Sequence, residues 1–113
     1  MKDLRTASIN MQDKNLALIK SIVKSFGNYE VYLFGSRARG DNKRDSDYDI
    51  IVVSKDDMNY KTKLDIRTNI HKAIVHKLHV SCDVLMQSEK ELMIKKEHLG
   101  NIVNYAIREW IKI

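Results

Sequence analysis

The sequence has no proline and only four glycines, so no Pro- or Gly-rich linker divides it. It also lacks internal repeats, and one domain over residues 1–113 is expected. Its one cysteine, Cys82, excludes an intrachain disulfide; within the run Val80 to Leu85 it reads as a small buried residue in a reducing compartment. Nowhere do 18 apolar residues run together, and no apolar stretch follows Met1 to Arg5. A soluble cytoplasmic protein with no membrane partner is expected.

Aromatic residues are scarce, and none that could stack on bases is interleaved with Lys61, Lys63, Lys72 and Lys77. These lysines are expected to solvate a helix. The net charge of +5 therefore favours anionic partners, nucleotides or nucleic acid, without requiring the latter. Apolar residues make up 43% of the chain, enough for one packed core, and a domain this small is compatible with an oligomer or a partner that covers apolar faces.

Helical spacing runs from Asp13 to Phe26, with Leu16, Ile19, Ile22, Val23 and Phe26 on one face and Gly27 as the stop. Residues 1–12 show no pattern and read as a frayed extension. Tyr29 to Phe34 alternates as a strand covered on both sides, with Val31 and Leu33 opposite Tyr32 and Phe34. A polar loop or short helical turn, Ser36 to Ser46, leads to a second strand, Asp47 to Val53. An amphipathic helix from about Asn59 to Lys77, carrying Tyr60, Leu64, Ile70, Ile74 and Leu78, precedes a third strand, His79 to Met86. Ser88 and Glu91 form a capping-box pattern. Past Gly100, a last amphipathic helix is expected to bear Ile102, Val103, Ala106, Ile107, Trp110 and Ile111, with Tyr105 and Trp110 docking it. The predicted order is helix, strand, strand, helix, strand, helix, helix, an α/β (α+β) architecture.

The chemistry concentrates between Gly35 and Asp49. Gly35, at the end of an apolar strand, lets backbone amides approach a bulky anion, and Ser36 adds a hydroxyl donor. Asp47 and Asp49 project from one face of the second strand while Tyr48 points away. Two carboxylates about 4 Å apart repel by on the order of 4 kcal/mol at an effective dielectric of 20, and a divalent cation relieves that. Magnesium takes one or two protein carboxylates together with phosphate oxygens. Asp83, a carboxylate in the third strand between Cys82 and Val84, is costly there unless paired or metal-bound, and joins the pair if its strand neighbours theirs. Such a trio can hold two cations, with Asp83 able to take the nucleophile's proton, and the reaction class is nucleotidyl transfer. Arg37 and Arg39 suit phosphate contact and equally suit pairing with Asp41 and Asp45.

The stretch Gly35-Ser36-Arg37-Ala38-Arg39-Gly40 through Ser46-Asp47-Tyr48-Asp49 resembles the signature of the DNA polymerase β-like nucleotidyltransferase superfamily: Gly-Ser, ten residues, then Asp-x-Asp. More narrowly it is similar to the minimal nucleotidyltransferases. The resemblance implies a small mixed sheet flanked by helices and the use of magnesium with ATP or another nucleoside triphosphate. It places Ser36 on the terminal phosphates and Asp47, Asp49 and Asp83 on the metal. It further implies a role as antitoxin of a HEPN-domain ribonuclease, which such proteins modify with AMP on a tyrosine. A non-catalytic antitoxin and a transferase acting on a small molecule are the alternatives.

Other signals are set aside. Asp41-Asn42 stands where a P-loop needs Lys and Ser or Thr. His71 and His76 fall on different helical faces and His79 at the start of a strand, so all three read as solvated or packing residues, and Met58, Met86 and Met93 as fillers.

Overall fold

The structure is a computed structural model that describes residues 13–113; the extension expected over 1–12 lies outside the described residues. Helix α1, Lys14–Lys24, starts where the Asp13 side chain accepts a hydrogen bond from the Asn15 amide, and it buries Leu16, Ile19, Ile22 and Val23. Phe26 does not join that face. It lies past the Ser25 cap and is 38% exposed.

Strand β1, Glu30–Phe34, splits its side chains as alternation requires. Val31 and Leu33 enter the main core beneath α1, whereas Phe34 and Tyr32 belong to a second cluster on the other face. After the helical turn α2, Ser36–Arg39, strand β2, Tyr48–Ser54, returns antiparallel to β1. Helix α3, Tyr60–Leu78, is the crossover that lets β3, Cys82–Ser88, pair parallel with β2. Of the apolar face expected on α3, only the part from Ile66 onward meets the core; Ile70 and Ile74 are fully buried, but Tyr60 and Leu64 are exposed. The third strand begins later than expected because His79 caps α3 in a left-handed conformation, φ 54°.

Ser88 and Glu91 form the expected capping box that starts α4, Glu89–Lys95. Helix α5, Ile102–Glu109, follows, with Ala106 packed on the second cluster. The predicted continuation of this helix through Ile111 is wrong. Trp110 is extended, and Ile111–Lys112 form a short strand, β4, antiparallel to β1. Trp110 does dock this segment, stacking on Tyr32 at 3.9 Å between ring centroids, while Tyr105 stays exposed. The result is a mixed sheet in the order β3-β2-β1-β4, with helices on both faces. Among the described residues no helix is long and apolar enough to cross a membrane.

Candidate active site

The sheet register decides which carboxylates meet. Asp49 pairs with Phe34 across the antiparallel ladder and with Asp83 across the parallel one, so two acidic side chains share one face of adjacent strands. Asp47 lies two residues ahead of Asp49, just before β2, and is exposed. Asp83 is exposed as well. Burial therefore does not make its carboxylate costly, contrary to expectation; what brings it to the site is the strand pairing. Asp49 is the one partly buried member. Its burial, then the negative charges of Asp83, Asp47 and Glu109, push its carboxyl up to about 6 against the opposing pull of Arg39.

Gly35 sits against this carboxylate. Its backbone has φ 76° and ψ −160°, a region essentially closed to other residues, and a Cβ built there would lie 2.2 Å from Asp49 Oδ2. Glycine is thus required by the turn, and any side chain there would displace the carboxylate pressed on it. Ser36 opens α2, which Gly40 ends with φ 85°. The Gly35 amide donates to Glu109 Oε1 at 3.0 Å. Arg39 Nη1 donates to both Glu109 oxygens, at 3.1 and 3.0 Å, and Arg39 Nε pairs with Asp41 at 3.1 Å.

Arg37 goes elsewhere. It donates to the Ser46 and Arg44 carbonyls, lies 3.6 Å from Asp13 and covers the Tyr48 ring at 4.0 Å. Tyr48 donates to Asp13 at 2.7 Å on the α1 side of the sheet, so Arg37 braces the loop and is not brought to the carboxylates.

A cleft of about 360 Å³ opens over Asp49 and Asp83. Its far wall includes Arg67, Thr68 and His71 from α3, none of which was expected in a site. Arg67 and His71 are one helical turn apart, but that spacing alone does not reveal what the face overlooks. Cys82 is buried as expected, its thiol pushed up to about 12 by burial and by Asp83, Asp49 and Asp47. Among the described residues no group of three or more His, Cys, Asp or Glu is closed tightly enough to hold a metal ion as it stands. The donor chemistry nonetheless suits magnesium: hard carboxylate oxygens, with a like-charge strain on Asp49 that a divalent cation removes.

A family model described as a nucleotidyltransferase domain matches residues 16–108. The chain belongs to this nucleotidyltransferase family. Over 55 residues it is 31% identical to the "Probable protein adenylyltransferase MntA" of Haemophilus influenzae, a match that covers 48% of each chain. The chain thus aligns with about half the length of that curated relative. The fold is shared with a chain in the crystal structure of a toxin-antitoxin with AMP-PNP (TM-score 0.60, 19% identity, 88% of this chain and 72% of that one). It is shared too with a chain in the structure of the tri-AMPylated Shewanella oneidensis HEPN toxin in complex with MNT antitoxin (TM-score 0.55, 15% identity, 87% and 67%). As in other nucleotidyltransferase domains, the helix-flanked mixed sheet is the scaffold, and here it carries the acidic residues at the ends of β2 and β3.

Proposed function

We propose that this nucleotidyltransferase moves AMP from ATP to a hydroxyl on a HEPN-domain partner, with magnesium, and so acts as the antitoxin of a pair. The observation that carries the reading is the Asp49 carboxylate, seated against Gly35 and in register with Asp83. In this reading the backbone that would take phosphate and the oxygens that would take cations stand side by side. The AMP and HEPN parts draw support from the adenylyltransferase relative and from the AMPylated complex that shares the fold.

In this reading Gly35 and Ser36 receive the triphosphate, with Arg39 at their side, and Asp47, Asp49 and Asp83 hold the cations. Bound magnesium supplies neutralisation of the triphosphate and a more acidic acceptor hydroxyl. The acceptor oxygen bonds to the α-phosphorus, the bond from that phosphorus to the bridging oxygen breaks, and pyrophosphate leaves. Asp83, exposed at the cleft, takes the hydroxyl proton. Residues 1–113 act as one domain.

The test incubates the purified chain, ATP labelled at the α-phosphate, magnesium and a HEPN-domain partner. Label should appear on the partner and vanish in an Asp47→Asn, Asp49→Asn double variant. Label that persists in the double variant would refute the assignment.

A further inference from the structure

Glu109 stands where the proposed reading needs an anion, and it is itself an anion. The β1–β4 ladder pairs Tyr32 with Lys112 and Leu33 with Ile111. Two further steps along the same register bring Glu109 opposite Gly35, and its carboxylate meets the Gly35 amide at 3.0 Å and Arg39 at 3.0 Å. The contact is far from local, spanning 74 residues to Gly35 and 70 to Arg39. Its position is held on the C-terminal side by the Trp110–Tyr32 stack and by β4. Charge argues against a simple strap: Glu109 adds a further negative charge to a centre where Asp49 already feels Asp47 and Asp83. An oxygen anion with two acceptor atoms, bridging a backbone amide and a guanidinium, presents what a phosphate presents.

We propose that Glu109 is a built-in competitor for the nucleotide, its carboxylate occupying the Gly35 amide and the Arg39 guanidinium until a triphosphate displaces it. The proposal rests on the reading of Gly35 as a phosphate contact. It makes nucleotide affinity a difference between two anions on one seat. A residue that merely braced the fold would, when removed, leave nucleotide binding unchanged or weaker; a competitor, when removed, makes it tighter.

The experiment titrates the full chain with ATP and magnesium in a calorimeter, comparing wild type with Glu109→Gln, Glu109→Ala and Glu97→Gln. The last removes a negative charge at an exposed residue that does not line the cleft. Loss of one charge-assisted pair corresponds to about tenfold in affinity. ATP should bind about tenfold more tightly to Glu109→Ala, detectably more tightly to Glu109→Gln, and unchanged to Glu97→Gln. Wild-type binding with no gain, or a loss, in both Glu109 variants overturns the competitor and leaves the proposed function standing. No binding by wild type or any variant overturns both.

Should the variants not fold, the wild type answers alone. Trp110 is the only tryptophan and adjoins Glu109, so saturation with inorganic tripolyphosphate should change its emission as the carboxylate leaves. Calorimetric saturation without that change refutes displacement.

Discussion

Replacing Gly35 with alanine tests whether the glycine is there for Asp49. Two costs add. The backbone at φ 76°, ψ −160° lies in a region that costs a residue with a Cβ about 1–3 kcal/mol. The new methyl then meets Asp49 at 2.2 Å from Oδ2, 3.0 Å from Cγ and 3.2 Å from Cβ. The carboxylate must swing aside to relieve the first two contacts, whereas the Cβ contact stays; forcing that displacement costs about 1–3 kcal/mol. Together the loss is about 2–6 kcal/mol, a large part of the stability of a small domain. Gly100→Ala is the internal control. Its φ is 85° and nothing lies within 4 Å of a Cβ there, so only the backbone cost of about 1–2 kcal/mol applies.

Urea unfolding followed by circular dichroism gives both values, and a cycle with Asp49→Ala isolates the contact. In that background the Gly35→Ala penalty should shrink by about 1–2 kcal/mol. A Gly35→Ala loss no larger than that of Gly100→Ala, or full additivity with Asp49→Ala, would show that the glycine does not serve the carboxylate. Since rotation withdraws Asp49 from the cleft, the proposed AMP transfer should fall at least a hundredfold in any folded Gly35→Ala protein, in the range of about 2.7 kcal/mol or more of lost transition-state stabilisation.

Two other predictions concern stability. The Asp49 carboxyl, at about 6 in the fold against 3.8 ordinarily, is stabilised there in its neutral form, so stability falls as pH rises from about 4 through about 6. The group is about half exposed, and solvent screening reduces the effect to about 1 kcal/mol. Asp49→Asn should therefore melt about 4 °C above wild type at pH 8 in a chelating buffer and lose that advantage near pH 4; equal melting at pH 8 would contradict the charge crowding. Trp110→Ala removes the stack on Tyr32 and loosens β4, for an expected loss of about 2–3 kcal/mol in urea unfolding, and a loss under about 1 kcal/mol would mean that β4 is held without it.

How much of this was legible in the sequence depends on whether a feature is local. The parity that sends Asp49 one way and Tyr48 the other is a property of any strand, and it holds for these two: Tyr48 reaches Asp13 under α1 while Asp49 faces the cleft, and Asp47, expected to open the strand, lies just before it. The Gly35 turn is likewise local. Register is not. Nothing in the order of residues makes Asp83 the partner of Asp49 instead of a residue one step away, and the expected reason for its presence, burial, proved not to be the cause. Arg37 and Arg39 are two residues apart in one polar loop, yet one folds under the sheet to Asp13 and the other meets Glu109. Only the path of α2 separates them.

The missed strand shows the same division with a greater consequence. Ile107, Trp110 and Ile111 continue a three-and-four spacing, and two residues of strand are too few to display alternation, so periodicity alone extends α5 to the end. Tertiary contacts decide otherwise: Tyr32 offers Trp110 a ring to stack on, and β1 offers Ile111 an unpaired edge. Had the helix run on, Glu109 would lie in mid-helix with no reason to meet Gly35. Because the chain turns to strand at Trp110, the ladder carries Glu109 to the glycine that most plainly marks the site. The error in one short element therefore hid the one acidic residue whose role rests on no motif, and the same pairing that hid it supplies the geometry on which its competition with nucleotide can be tested.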